Sequence, residues 1–181
     1  MRFACARIPT SSRSITTSSP TVLQLNISRG GIPKSPVAEA YLTPLGLEGD
    51  SCTHPRIHGG PHQAVLLICA EATEELIARG YPLFHGAMGE NITTSGLDRK
   101  SLREGQRYRV GLAVIELTRL RAPCGTLQVY GAAFGAELYD QAARAGDVTS
   151  PRWAMGGFYA RVVEPGLIRQ GDPVMLLEEP A

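Results

Sequence analysis

One cysteine stands where its thiol could react. In RLRAPCGTLQVYG, residues 119–131, Cys124 follows Pro123 and lies three residues past Arg121. Proline suits the first turn of a helix, so the stretch predicts Cys124 near a helix N-terminus, where the peptide dipole favours an anion. That dipole and the arginines at 119 and 121 would each lower a thiol pKa and raise the nucleophilic thiolate fraction. A lone cysteine is also a good small core residue, so this stretch leaves packing and reaction both open. Cys52, in a long loop, is the second candidate, and Cys69, inside an apolar run, is expected in the core.

Other polar groups could join it. His54, His58 and His62 recur every four residues, a spacing that on a helix would align three imidazoles for zinc. Pro55, Gly59, Gly60 and Pro61 interrupt any such helix, and no HExxH or CxxC pattern accompanies them. Loop histidines that bond the backbone or a ligand are the expectation. In His58-Gly59-Gly60 two glycines let the backbone approach a ligand and aim N–H groups at it, a concavity suited to phosphate; Gly-Gly also marks ordinary turns. Gly89-Glu90-Asn91 offers an acceptor and a donor, or simply an Asx-capped turn. Lys34, in a loop after the first strand, could meet an anion as a flexible point charge. It is expected to face the same cavity as the Gly-Gly turn and Arg121.

These residues need elements to position them. TVLQLNIS (21–28) alternates Val22, Gln24 and Asn26 against Leu23, Leu25 and Ile27, the period of a half-buried strand. RGGIPKSPV reads as a loop, and GLEGDSCTHPRIHGGPH as a long aperiodic one, expected at one mouth of the fold. QAVLLIC is a buried strand, and AEATEELIARG a helix that stops at Gly80. RYRVGLAVIELTRL gives two strands around Gly111, and FGAELYDQAARAG one further helix with Phe134, Leu138 and Ala142 on one face. MGGFYARVVEPGLIRQGDPVMLL gives two strands joined by a turn at 164–166. Short strands without strand–helix alternation predict a mainly β fold with helical insertions, not a doubly wound sheet.

The 181 residues suffice for a substantial core. A net charge of +1 gives no global field toward nucleic acid or membrane, and no apolar run approaches the ~20 residues of a spanning helix. The four cysteines share no CxxC spacing, so reduced thiols inside a cell are expected. Residues 1–20 are rich in Ser, Thr and Arg and lack any carboxylate. They read as a disordered or transit-like tail, with residues 21–181 as the folded domain.

Taken together, GIPKSPV, GLEGDSCTHPRIHGGPHQAV, HGAMGENITTSGLD, LREGQRYRVGLAVIELTRLRAPC and GGFYARVVEPGLIRQGDPV resemble, in that order, the MOSC domain family, named after the C-terminal domain of molybdenum-cofactor sulfurase. The resemblance runs from about residue 22 to 177. It implies a β-barrel-like fold and a site for the molybdenum cofactor (molybdopterin). The cysteine of the family's Arg-x-Pro-Cys motif, proposed to bind molybdenum or carry sulfur, is Cys124 here. Lys34, His58, Gly59, Gly60 and Arg121 fall in the cofactor-binding segments, with Glu90 and Asn91 lining the site. His62 replaces the usual acidic residue after the Gly-Gly turn.

With no pyridoxal-phosphate domain in the sequence, the resemblance points to the stand-alone bacterial type. Some of these, like the related mitochondrial amidoxime-reducing component, reduce N-hydroxylated bases. The implied enzyme is a molybdenum-dependent oxidoreductase acting on a small molecule, supplied with electrons by a separate reductase, in the cytoplasm, or in an organelle if residues 1–20 direct import. Two alternatives stay open: a sulfur or cofactor carrier using a Cys124 persulfide, and a binding module in which Cys124 is structural.

Overall fold

A computed structural model describes residues 19–51 and 59–179. Strand is the commonest regular structure among the described residues: β1 Thr21–Ile27, β2 Ser35–Val37, β3 Glu39–Thr43, β4 Gly46–Leu47, β5 Val65–Cys69, β6 Ile92–Ser95, β7 Arg107–Val110, β8 Ala113–Leu120, β9 Phe158–Glu164, β10 Gly166–Arg169 and β11 Val174–Glu178. The helices are short: α1 Ala70–Ala78, α2 Phe134–Leu138 and α3 Gln141–Arg144. The fold is therefore mainly β with helical insertions, as expected.

Eight strands form one sheet in the order β11-β7-β8-β9-β5-β6-β1-β2. The sheet curls until β1 meets the β11 edge. Val22 N–H donates to Asp172 C=O at 2.8 Å, Gly171 N–H to Val22 C=O at 2.8 Å and Val174 N–H to Pro20 C=O at 2.8 Å. Closure in this way satisfies backbone groups that an open edge would expose. A smaller sheet, β10-β3-β4, packs on the barrel, with Leu112 N–H donating to Leu167 C=O at 3.0 Å.

β5 explains its own sequence. Its five residues VLLIC are all buried. Val65, Leu67 and Cys69 point into the barrel core with Val22, Ile115 and Phe158. Leu66 and Ile68 face a second core with Leu76 of α1 and Phe134 and Leu138 of α2. A strand covered on both faces needs an unbroken apolar run. β5 also makes the one parallel pairing among the described strands, with β6, and α1 lies in the connection.

Several expectations need correction. β1 does not keep one alternation, because a bulge between Val22 and Gln24 shifts its register. Val22 and Leu25 therefore face the core, and Asn26 is buried too. The expected single helix over 134–146 is two. Tyr139 is extended, and Asp140 starts α3 by accepting the Ala143 N–H at 2.7 Å; a side chain that competes for backbone donors favours a cap over a helix interior. Ala143, not Ala142, is the buried residue of α3. The chain after Gly157 forms three strands, with β10 diverted to pair with β3. Ser35–Val37 and Gly46–Leu47, expected as loop, pair with β1 and β3. The tail over residues 1–18, Cys52, His54 and His58 lie outside the described residues.

Candidate functional site

Cys124 ends the segment after β8 and caps a 3-10 turn, Gly125–Tyr130, rather than entering an α-helix. Pro123 precedes the cap and lies outside the turn. The thiol is half-buried, and burial is the largest influence on it, upward. The Thr126 hydroxyl and N–H, the charge of Arg121 and the Leu127 N–H together outweigh burial and hold the thiol below its ordinary pKa. Cys69 is the contrast: burial pushes it up to about 12, as befits a core residue.

Arg121 is 5% exposed. Its Nη2 donates to Met88 C=O at 3.2 Å, while its Nη1 is buried with no hydrogen-bond partner. A buried guanidinium N–H without an acceptor is costly, which marks a place built to receive one. Arg121 and Cys124 border a cavity of about 280 Å³ whose other walls include Lys34, Asp50, Gly59 and Asn91.

Part of the lining is a polar network. Lys34 Nζ is paired with Asp50 Oδ2. Asn91 Nδ2 donates to the same oxygen at 2.7 Å, and Ser28 N–H donates to Asp50 Oδ1 at 2.8 Å. Asn91 Oδ1 accepts the Leu66 N–H at 3.1 Å, so its amide orientation is fixed from β5. Asn91 is thus a bracket between strand and loop, not a turn cap. Lys34 shares the cavity with Arg121 and Gly59, but its charge is balanced by Asp50, and the positive field of the cavity comes chiefly from Arg121.

Of the residues singled out in the sequence, Lys34, Gly59, Asn91, Arg121 and Cys124 converge on this cavity. Gly60 starts the 3-10 turn Pro61–Gln63 and is not on the wall. Glu90 is fully buried behind the wall and does not line it. His62 is exposed, and its C=O accepts the Thr118 hydroxyl at 2.7 Å. Among the described residues, no three His, Cys, Asp or Glu side chains cluster to hold a metal. Two residues were missed. Thr126, two positions past Cys124, was legible as a hydroxyl placed to bond back locally. Asp50 lay inside a quoted motif, but only its spatial meeting with Lys34 gives it a role. A second, wider cavity of about 700 Å³ shares Cys124 and Tyr159 with the first.

The MOSC domain model matches residues 54–175. The chain belongs to the MOSC domain family. Protein YiiM of Escherichia coli (strain K12) is 37% identical over 99 residues, 51% of this MOSC chain and 43% of YiiM. The uncharacterized protein YflK of Bacillus subtilis (strain 168) is 34% identical over 152 residues, 81% and 63% of the two lengths. The chain thus spans about two-fifths of YiiM and three-fifths of YflK. The crystal structure of YiiM from Escherichia coli superposes with a TM-score of 0.66 at 25% identity, covering 91% of this chain and 72% of that one. The MOSC match carries Asn91, Arg121 and Cys124, whereas Lys34 and Asp50 precede it. No helix among the described residues is long and apolar enough to cross a membrane.

The MOSC family is associated with the molybdenum cofactor, and the donor set fits that group. A thiol drawn toward thiolate is the soft ligand molybdenum takes. The unpartnered Nη1 of Arg121 is the donor an anionic phosphate needs.

Proposed function

We propose that this MOSC chain binds a molybdenum–pterin cofactor in the Arg121–Cys124 cavity and reduces N-hydroxylated compounds. The observation that carries the reading is one wall holding both a pKa-lowered thiol and a buried guanidinium N–H with no acceptor. Cys124 would be the protein ligand to the metal. Arg121 Nη1 would donate to the anionic group of the cofactor, with the Gly59 turn as a close backbone surface. The Lys34–Asp50–Asn91 network holds its part of the lining in place, so little ordering is required there on binding.

Bound there, the cofactor supplies two-electron oxygen-atom chemistry. The overall reduction consumes two electrons and two protons and converts N–OH to N–H and water. The sequence carries no flavin, haem or iron–sulfur motif, so the reading assigns the electrons to a separate reductase, in the cytoplasm.

A second reading draws on Cys124 bordering both cavities. A thiol reached from two sides suits a carrier whose thiolate takes the outer sulfur of a donor persulfide, releasing the donor as its thiol, and passes that sulfur on to an acceptor. One experiment separates the two. The chain is produced with a molybdenum supply, its metal content is measured, its Cys124 peptide is weighed, and N-hydroxylamine reduction is assayed with a chemical electron donor. Metal with turnover supports the reductase; a persulfide, or metal without turnover, supports the carrier. Neither result leaves Cys124 a packing residue and overturns both readings.

A further inference from the structure

Glu90 is 0% exposed and lies behind the cavity wall. Its Oε1 accepts the Gly86 N–H at 2.5 Å, and its Oε2 has no partner. The carboxyl therefore ties residue 90 back to residue 86 and touches no ligand space. The loop it spans is tight, with Gly89 N–H donating to Gly86 C=O at 3.2 Å and with Gly86 at φ +99° and Gly89 at φ +87°, backbone angles that side chains rarely adopt. A Cβ on Gly89 would also stand 2.9 Å from Ile32 Cγ2, and one on Gly86 would collide with the Lys34 carbonyl.

The carbonyls of this loop hold the cavity's cationic residues. Gly86 C=O accepts the Lys34 N–H at 2.9 Å. Met88 C=O accepts Arg121 Nη2 at 3.2 Å. Ala87 C=O accepts the Tyr130 hydroxyl at 2.7 Å, which anchors the far end of the turn that Cys124 begins. Next in sequence, Asn91 fixes Asp50, the partner of Lys34. One loop thus sets where the guanidinium, the lysine backbone and the turn after the thiol stand relative to one another.

We propose that Glu90 is the positioning residue of this cavity: by closing loop 86–91 through Gly86 it sets the place of the Arg121 guanidinium for an anion. The proposal rests on the reading of the cavity as an anion site. It separates the two halves of the Gly-Glu-Asn motif: Glu90 shapes the loop from behind and Asn91 braces the wall.

The probe is inorganic phosphate, titrated calorimetrically into the full chain. Arg121→Gln tests the anion site itself and is expected to weaken binding about ten-fold or more, the scale of a lost charge-assisted hydrogen bond. Glu90→Gln keeps an acceptor for Gly86 N–H and is expected to stay within about two-fold of the native chain by the same reasoning. Glu90→Leu removes the acceptor and is expected to weaken phosphate about ten-fold while secondary structure persists. Should Glu90→Leu fail to fold, Glu90→Asp, which withdraws the carboxyl by one methylene, is expected to show the same loss. Affinity is compared only at temperatures well below each variant's melting midpoint, so that a loss in Leu or Asp with Gln unchanged reports the cavity and not general destabilisation. Native-like phosphate binding in the folded Leu or Asp variant overturns the proposal. Absence of phosphate binding in the native chain, or no change in Arg121→Gln, overturns the anion reading and the proposal with it.

Discussion

At the scale of the residue, the chain holds two thiols with opposite fates. Burial dominates Cys69 and, with the charges of Glu71 and Asp98, outweighs the Thr94 hydrogen bond and Arg99, so the thiol is held protonated. Cys124 has two donors from Thr126, one N–H from Leu127 and a guanidinium nearby, and these overcome its burial. Alkylation of Cys124 by iodoacetamide, followed on its own peptide, is expected to have a midpoint below the ~8.5 of a free thiol. Thr126→Val should move that midpoint upward. Cys124→Ser should keep the fold, since the side chains are nearly isosteric, and abolish reduction of N-hydroxylated substrate, since a neutral hydroxyl is a poor soft-metal ligand. Full activity in Cys124→Ser would remove the thiol from the proposed mechanism.

Glu90 is displaced the other way. Burial raises its carboxyl pKa despite the Gly86 N–H and the charges of Arg121 and His85. A raised folded-state pKa means the native chain holds the proton longer than the unfolded one. The contribution of Glu90 to stability is therefore complete below the unfolded carboxyl value of ~4.3 and is lost as pH rises through the folded value. Glu90→Gln lacks that titration. Melting curves collected upward from pH 4 should show the variant gaining on the native chain as pH increases; a constant difference would show that Glu90 does not titrate across that range.

At the scale of the element, β5 makes the plainest case. Its two faces serve two cores, so both parities of its alternation carry weight. Leu67→Ala and Ile68→Ala, each at 0% exposure, are both expected to cost about 2–5 kcal/mol in denaturant unfolding. A strand buried on one face only would give one large and one small loss. Ile77 of α1, 42% exposed, should tolerate alanine with a change of about 0.5 kcal/mol or less. The break between α2 and α3 belongs to this scale as well. Asp140 accepts from Ala143 N–H and from the Ser150 hydroxyl at 2.9 Å, and these bonds are available only if the helix restarts there.

At the scale of the whole molecule, the barrel depends on a seam between the two ends of the folded chain. Residues 20–22 and 171–174 exchange the backbone bonds that join β1 to the β11 edge. If the seam closes the barrel, the amides of Val22, Gly171 and Val174 should exchange with deuterium on the timescale of the inner strands. Exchange as fast as in an exposed turn would show an open sheet. The cavity belongs to this scale too, because its lining is gathered from segments spread along the chain from Gly31 to Tyr159.

What the sequence determined by itself was whatever a short window enforces. The apolar run of β5, the paired strands around Gly111 and the stop of α1 at Gly80 follow from local periodicity and turn chemistry. The chemistry of Cys124 was partly local as well, since Arg121 and Thr126 lie within three residues of it. Motif order brought Lys34, Gly59, Asn91 and Arg121 to one list, but not to one geometry. The tertiary structure alone decided that Asp50 neutralises Lys34, that Glu90 stands behind the wall, and that a bulge puts Asn26 on the face opposite Leu25, buried against the Gly86 turn. It also decided that β10 leaves its neighbours for β3. Each of these outcomes is set by contacts between residues far apart in the chain, and a side chain's charge partner or buried face exists only once those segments have met.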